Sequence, residues 1–302
     1  MDSGVRKGER GTVVRRVLVG LSLSLFLLAS SLVWGAQLRV HPLEDPLFQG
    51  DLRGLRVTAP EPLVRLGARF QGLSLPVRRG GGKYTVLLAV DLETPPGAYP
   101  VEFEAQGRSG QRYRLRIPVT VADGRFPVQH LTLPRGMVDL DTETLERVRR
   151  EQALLAAIWT KWQRRPDWTQ AFIPPLEVTL RVSSEFGLRR IINGRPRSPH
   201  GGVDFRASSG TPVRASNRGA VVYVGEMFFS GNSVILHHGG GLFTMYFHLQ
   251  RYRVEPGQEV AHGEVLGWVG ASGRVTGPHL HWGARLQGAR FDPRRLLQLS
   301  LP

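Results

Sequence analysis

The feature that most restricts the fold of this chain is a series of short segments in which apolar and polar residues alternate, each closed by glycine or proline. The 302 residues include 36 glycines and 21 prolines. Apolar side chains recur at every second position over residues 99–105 and again over 113–121. Turns between such segments are supplied by "RGGGK" (79–83) and "TPPGA" (94–98). Residues 38–122 therefore predict a small antiparallel β-sandwich.

The next part of the chain changes to a helical period. Apolar residues between 139 and 165 fall near one helical stripe, Asp141 is a suitable N-cap, and Pro166 ends the pattern. The stretch "FIPPLE" (172–177) then favours an extended linker. We expect a helical connector and linker over residues 123–178.

Short strand patterns return in the last part of the chain, residues 179–302. Four apolar segments, "GAVVYVG", "NSVILHH", "LFTMYFHL" and "EVLGWVG", are separated by glycine-rich turns of the kind that join antiparallel strands. Neither a dinucleotide-binding fingerprint nor a phosphate loop occurs. We therefore expect a mainly β chain that ends in a domain built on an antiparallel sheet.

The amino-terminal leader combines a basic stretch with twenty uncharged residues, 17–36. The most apolar part, residues 17–29, has the length of a signal peptide, whereas the full stretch just reaches that of a membrane span. Residues 1–36 are therefore expected to form a leader helix that is either a signal peptide or a membrane anchor. Either alternative exports the remaining residues to the periplasm or cell envelope, and the second anchors them to the inner membrane.

Charge and cysteine content narrow the classes of partner and metal site. The chain has no cysteine, so any metal must be held by histidine or carboxylate side chains. Its formal net charge of +15 favours polyanions. A specific nucleic-acid partner is not expected, because zinc-finger, helix-turn-helix and ribonucleoprotein patterns are missing. For an exported chain, anionic cell-wall polymers and lipid head groups are the first polyanions to consider.

Seven of the nine histidines lie between positions 200 and 281, which indicates a shared site. In "GPHLHWG" (277–283), a strand would point His279 and His281 to the same face and Leu280 to the other. In "HGGVDF" (200–205), an extended path would place His200 and Asp204 on one side. Zinc enzymes commonly use three protein ligands and an open fourth position. His200, Asp204 and one histidine of the pair could supply them.

A further histidine, His248 in "TMYFHLQ" (244–250), could approach this site from another strand. By strand alternation it shares a face with Tyr246. Each histidine taken singly is more typical of a surface position or of a hydrogen-bonded core. Taken together, the clusters favour a metal site with unliganded histidines beside it.

These motifs resemble the lysostaphin-type (LytM-like) zinc peptidases of bacterial cell walls, metallopeptidase family 23. The resemblance covers residues 179–293 and includes "SSEFGLRR", "HGGVDF", "GTPVRAS", "GNSVILHHGGGLFTMYFHL", "VEPGQEV" and "SGRVTGPHLHW", in family order. It implies a zinc metallopeptidase domain over residues 179–302, with Zn²⁺ as the only cofactor. It further implies that His200, Asp204 and His281 are zinc ligands and that His248 and His279 are unliganded catalytic residues.

The same resemblance implies the substrate class, peptide bonds in the stem or cross-bridge of peptidoglycan. The sandwich is similar, more loosely, to the immunoglobulin-like module of some exported members. An alternative is a non-enzymatic relative that binds peptidoglycan and activates another wall hydrolase, although such relatives often lose ligands and this chain keeps all of them. In "RRIINGRP" (189–196), Asn193 is the best candidate for substrate binding, and a simple hairpin turn at Asn193 and Gly194 is an equal alternative.

Overall fold

The computed structural model describes residues 37–41, 46–80, 82–134, 139–160, 168 and 170–299. The expected leader helix and the anchoring segment 17–36 lie outside them. Among the described residues, none of the helices has the length and apolar character needed to cross a bilayer.

The first nine strands form two facing sheets. One has the order β1-β3-β7-β6 and the other β2-β9-β8-β4-β5. Alternation in the long strands β8 and β9 turns Val101, Phe103 and Val119 into a core that also contains Leu55 and Val86. The strands are β1 (Arg39–His41), β2 (Leu47–Phe48), β3 (Leu52–Thr58), β4 (Leu63–Phe70), β5 (Leu73–Ser74), β6 (Val77–Gly80), β7 (Lys83–Ala89), β8 (Gly97–Gly107) and β9 (Arg112–Ala122).

One pair in this sandwich departs from the antiparallel arrangement that the sequence predicts. The two-residue strand β2 runs parallel to the end of β9. Nearly the whole sandwich lies between these strands in sequence, which provides the long crossover that a parallel pair requires. The resemblance of this sandwich to an immunoglobulin-like module stays a prediction, as do the four domain boundaries.

The described residues of the connecting region include one strand, β10 (Val128–Leu131), and one helix, α1 (Thr142–Trp159). The predicted N-cap is confirmed, because the Asp141 carboxylate accepts a hydrogen bond of 2.7 Å from the backbone N–H of Thr144. Ile158 is buried, and the ring of Trp159 packs edge-on against Phe243. Trp159 is therefore a packing residue.

Ten of the twelve strands that follow build one large sheet in which every described pair is antiparallel, as expected. Its central order is β11-β14-β21-β18-β17-β16-β19, and β15, β20 and β22 attach beside it. The bounds are β11 (Arg181–Ser184), β12 (Arg189–Ile192), β13 (Arg195–Pro196), β14 (Gly202–Arg206), β15 (Pro212–Arg214), β16 (Gly219–Met227), β17 (Gly231–His237), β18 (Leu242–Tyr252), β19 (Glu259–Val260), β20 (Val265–Val269), β21 (His279–Leu286), β22 (Ala289–Phe291) and a 3₁₀ helix (Pro293–Gln298).

The separate three-stranded sheet, β10-β12-β13, crosses the predicted border between connector and last domain. Strand β10 pairs in parallel with β12. The mainly β fold class is confirmed, and this parallel pair is an addition that the sequence pattern did not indicate. Its strands lie far apart in the chain, so no local turn signal announces the pairing.

Strand β7 joins the sandwich to the large sheet. Its residues alternate between two cores: Val86 faces the sandwich core, whereas Leu87 and Ala89 belong to the core cluster of the large sheet. Just beyond β7, the Asp91 carboxylate accepts hydrogen bonds from the Arg290 guanidinium at 2.7 and 3.0 Å. The sandwich is therefore packed directly against the strands that end the chain.

Candidate metal centre

Two side chains that are close in sequence, His200 and Asp204, meet the distant His281 on one face of the large sheet. The Asp204 Oδ1 atom lies 3.0 Å from His200 Nε2 and 2.9 Å from His281 Nδ1, and these two nitrogens are 3.0 Å apart. All three side chains are partly exposed. The three atoms form a nearly equilateral triangle.

The pairing of β14 with β21 explains why these residues meet. Asp204 lies directly opposite His281, and Val203 and Phe205 on the alternate positions are buried in the core. His200 precedes β14, and its ring is directed back towards Asp204 by a hydrogen bond from Nδ1 to the Glu185 carbonyl, 2.8 Å. The prediction that His200 and Asp204 lie on the same side is confirmed.

Gly202 permits the close approach of the two strands. A Cβ atom at this position would lie 2.5 Å from the Trp282 carbonyl oxygen and 2.7 Å from His281 Nε2. Contacts that short do not occur between ordinary Cβ atoms and backbone oxygens, so a side chain would displace β21. The glycine in "HGGVDF" thus sets the distance between His281 and the other two residues.

The donor atoms fit a divalent metal ion. Because the Glu185 carbonyl can only accept, His200 Nδ1 carries a proton, and in the neutral ring Nε2 presents its lone pair to the carboxylate of Asp204. Two acceptors 3.0 Å apart repel each other unless a positive charge lies between them. Tetrahedral zinc ligands at about 2.0–2.1 Å from the ion would be about 3.3 Å apart. His200, Asp204 and His281 match this donor set and spacing closely.

The electrostatics of the site keep Asp204 ionised. Burial alone would raise the pKa of this carboxyl, but the hydrogen bonds and charge of His200 and His281 in their protonated forms outweigh burial and hold the pKa of Asp204 well below its usual range. Burial also lowers the pKa of His281. An ionised carboxylate and neutral imidazoles are the forms that bind metals.

His279 and His248 stand beside this triangle. His279 Nε2 is 3.9 Å from Asp204 Oδ1, farther than the ring nitrogens of His200 and His281. The ring centroids of His248 and His279 are 4.7 Å apart. As predicted, His279 and His281 share a face, and Leu280 points into the core with 0% of its surface exposed.

Backbone carbonyls fix the tautomers of both histidines. His248 Nδ1 donates to the Ser272 carbonyl at 2.9 Å, and His279 Nδ1 donates to the Gly277 carbonyl at 2.8 Å. Each ring therefore keeps a lone pair on Nε2 when it is neutral. Burial, followed by the charge of His281, lowers the pKa of His248 to about 4, so this imidazole is neutral near pH 7.

The prediction that His248 shares a strand face with Tyr246 is wrong. Tyr246 points to the opposite face, where its hydroxyl donates to Ser216 Oγ. Phe247 lies on the site face with its ring stacked on His281 at 5.2 Å. His248 has a φ of 63°, which breaks the alternation and turns its side chain to the same face as Phe247. Such a conformation is unfavourable for a residue other than glycine, and strained residues of this kind concentrate at functional sites.

Helix α1 packs on the same face of the sheet and supports the segment that holds His248. The backbone N–H of His248 donates to the Ser230 carbonyl at 2.9 Å. Two residues earlier, the N–H of Phe228 is held by both oxygens of Glu151 in α1, at 3.0 and 3.1 Å. The helix is thereby tied to one wall of the site.

Asn193 occupies the turn between β12 and β13, with a φ of 51°. Its side-chain amide donates to the Leu133 carbonyl at 2.8 Å, and its side-chain oxygen accepts from the Leu133 N–H at 2.9 Å. These contacts give Asn193 the turn role that the sequence offered as an equal alternative. A contact between Asn193 and substrate stays a prediction.

Comparison with known proteins assigns the domain that carries this site. The sequence model of peptidase family M23 matches residues 198–293, the stretch that contains all five converging residues. Residues 198–293 are an M23 peptidase domain. Its histidines and Asp204 therefore belong to a metallopeptidase fold, which confirms the family suggested by the motifs.

Two curated relatives match the M23 domain and its surroundings. DD-carboxypeptidase/endopeptidase Mpg of Neisseria meningitidis serogroup B is 43% identical over 130 residues, which cover 43% of this chain and 29% of that protein. Peptidoglycan DD-endopeptidase ShyA of Vibrio cholerae is 41% identical over 129 residues, covering 42% of this chain and 29% of that protein. The chain thus matches less than a third of the length of either relative.

A solved structure extends the likeness beyond the M23 domain. A Pseudomonas aeruginosa protein described as a peptidase M23 is 29% identical, with a TM-score of 0.63, and the match covers 84% of this chain and 96% of that chain. The M23 domain accordingly occurs in both proteins together with most of the structure that precedes it.

Sequence reasoning missed the groups that orient the catalytic histidines. Ser272 and Gly277 act through backbone carbonyls, which carry no side-chain signature in a sequence. Phe247, stacked on His281, could have been found only if the reversal of alternation at His248 had been recognised.

Proposed function

We propose that this protein is a zinc-dependent endopeptidase that hydrolyses peptide cross-links or stem peptides of bacterial peptidoglycan. The observation that carries the proposal is the convergence of His200, Asp204 and His281 on one point, with His248 and His279 beside it. The names of the relatives in Neisseria and Vibrio support peptidoglycan as the substrate class.

In this proposal His200 Nε2, Asp204 Oδ1 and His281 Nδ1 hold the metal. When bound, zinc supplies a Lewis acid that polarises the scissile carbonyl and lowers the pKa of a water molecule. Asp204 is occupied as a ligand and does not act as the base. A neutral imidazole at His248 or His279 accepts the proton of the attacking water through Nε2 and delivers it to the amide nitrogen that leaves.

The two catalytic histidines are held by rigid parts of the fold. Ser272 and Gly277 fix which nitrogen faces the substrate, and the Ser230 carbonyl fixes the backbone of His248. Such fixed orientation reduces the reorganisation needed during proton transfer. We assign the proton-transfer role to His248 and His279 jointly.

We further propose that the protein acts outside the cytoplasm, because its proposed substrate lies in the cell wall. The leader at residues 1–36 would direct export, as a signal peptide or as an anchor in the inner membrane. The surplus of basic residues would favour contact with anionic wall polymers.

A digestion experiment tests the proposed activity. Purified protein loaded with one equivalent of zinc should release muropeptides from cross-linked peptidoglycan, and mass spectrometry of the products identifies the bond that is cut. A chelator should stop the release, and added zinc should restore it. Binding of peptidoglycan without any cleavage, at full zinc occupancy, would contradict the proposal and favour a non-enzymatic activator.

A further inference from the structure

A cavity of about 650 Å³ opens beside His279, outside the metal triangle. Its volume lies within the usual range for sites that bind small ligands or peptide side chains. Its lining includes the hydroxyl and guanidinium groups of Arg181, Ser183, Arg206, Ser208 and Thr276. The cavity is therefore continuous with the catalytic face and lined by hydrogen-bond donors.

The two arginines and His279 form a row across three neighbouring strands. In the register of β11, β14 and β21, Arg181 lies opposite Arg206, and Arg206 lies opposite His279. Strand alternation places Arg206 on the same face as Asp204, two residues earlier. Neighbouring strands are about 4.8 Å apart, so both guanidinium groups can reach a substrate bound at His279.

Among the described residues, the two arginines of this row have no acidic partner. None of the residues lining the cavity is acidic, and across the described part of the chain neither Arg181 nor Arg206 has an ion pair. Other arginines of the same domain behave differently. Arg214 is paired with Glu177, and Arg290 is paired with Asp91.

We propose that Arg181 and Arg206 form a subsite for a free carboxylate of the peptide substrate, next to the scissile amide. This proposal rests on the proposed endopeptidase function and specifies its substrate class. A guanidinium group presents paired N–H donors that match a carboxylate in geometry and charge. Because an extended peptide advances about 3.3 Å per residue, the carboxylate belongs to the residue at the cleaved bond or to its neighbour.

The consequence is a preference for acidic over amidated peptides. Amidation of the carboxylate removes the charge and half of the acceptor capacity, and it leaves the two guanidinium groups facing a neutral amide. The subsite therefore distinguishes peptides that have the same backbone and differ in one carboxyl group.

Two synthetic cross-linked peptides, identical except that one carboxylate beside the scissile bond is amidated in the second, test the subsite. We expect the native enzyme to cleave the acidic peptide with a kcat/KM about tenfold higher, since a hydrogen bond to a charged group contributes about that factor. In Arg206→Gln and in Arg181→Gln the ratio of the two kcat/KM values should fall towards one. Arg253→Gln, at an exposed arginine outside the cavity, should keep the native ratio.

Equilibrium binding separates this inference from the proposed activity. Calorimetric titration of the same two peptides into the zinc-loaded protein should give a dissociation constant about tenfold lower for the acidic peptide. If neither peptide is cleaved, the endopeptidase proposal fails, and the ratio of dissociation constants still decides the subsite. Unchanged melting temperature and zinc content show that each variant remains folded.

Equal ratios in the native protein and in both arginine variants would overturn the subsite. The same holds if an anionic phosphate polymer binds through Arg206 while the two peptides bind equally, because the cavity would then recognise polymer rather than substrate.

Discussion

Two groups of histidines lie in the same antiparallel sheet and differ in what their ring nitrogens meet. At the end of β17, His238 is completely buried, its Nδ1 donates to the Arg218 carbonyl, and its Nε2 accepts from the Thr244 hydroxyl at 2.7 Å. In the metal centre, the nitrogens of His200 and His281 face the same carboxylate oxygen.

The first group extends into a closed hydrogen-bond network, here called the His238 network, which consists of His238, Thr244, Tyr246 and Ser216. The Thr244 oxygen also lies 3.0 Å from the Tyr246 oxygen, and the Tyr246 hydroxyl donates to Ser216 Oγ at 3.1 Å. Each donor in this network meets an acceptor, so the network stabilises the fold. His237 beside it stacks on Phe243 at 4.5 Å.

The comparison teaches that clustering of histidines does not identify a functional site. Both groups contain neighbouring histidines near strand ends. In the metal centre acceptors converge on one point and need a positive charge, whereas in the His238 network donors and acceptors alternate. Only the arrangement in the metal centre leaves a position to be filled by a ligand.

Removal of the Asp204 carboxylate should produce the largest difference between the metal centre and the His238 network. We expect Asp204→Ala to lose stoichiometric zinc and to reduce peptidoglycan hydrolysis by about a thousandfold or more, because Lewis-acid catalysis contributes several kcal/mol. Zinc analysis after dialysis and a muropeptide release assay measure the two effects. His238→Ala is the matched control and should keep its zinc. Retained zinc in Asp204→Ala would show that the metal is held elsewhere.

Changes at the unliganded histidines sharpen the comparison within the metal centre. His248→Gln should lower kcat by about 10²–10⁴, the usual contribution of general acid–base catalysis, and should leave the zinc content unchanged. Single-turnover kinetics on a defined cross-linked peptide measure the change. Loss of zinc together with activity would place His248 among the ligands instead.

A truncation in the His238 network should affect stability and spare the metal. His238→Ala removes one hydrogen-bond partner each from the Arg218 carbonyl and the Thr244 hydroxyl, and a lost buried partner costs about 1–3 kcal/mol. Urea unfolding should therefore show a lower free energy of unfolding. His262→Ala, at a half-buried histidine outside the network, should show a smaller loss. A stable His238→Ala variant with weakened zinc binding would break the distinction.

The smallest expected effect is a change in the stability of the His238 network at alkaline pH. Burial raises the pKa of Tyr246 despite its hydrogen bonds to Ser216 and Thr244. Stability from the neutral phenol is therefore present below the unfolded-state pKa of about 10 and is lost as the pH rises through the folded-state pKa. Between about pH 9 and pH 11, the free energy of unfolding should fall more steeply in the native protein than in Tyr246→Phe. Parallel curves would contradict a neutral, buried Tyr246.

Strand alternation made much of the metal centre predictable. It placed His279 with His281 on one face and Leu280 in the core, and it placed His200 on one side with Asp204. The same rule gave the wrong face for His248, because a positive φ depends on the tertiary hydrogen bonds to Ser230 and Ser272. The parallel pairing of β10 with β12 was likewise set by contacts between distant segments.

The most direct test of the central claim is the zinc stoichiometry of two variants, His281→Ala and His279→Ala. Their substitutions lie two residues apart on the same face of β21. Both proteins are dialysed against metal-free buffer, and bound zinc is measured by atomic emission beside the native protein. Our account predicts that His281→Ala loses its zinc, whereas His279→Ala keeps one zinc per chain and loses turnover. Equal zinc loss in the two variants, or retention in both, would contradict the division of the histidines into ligands and proton carriers.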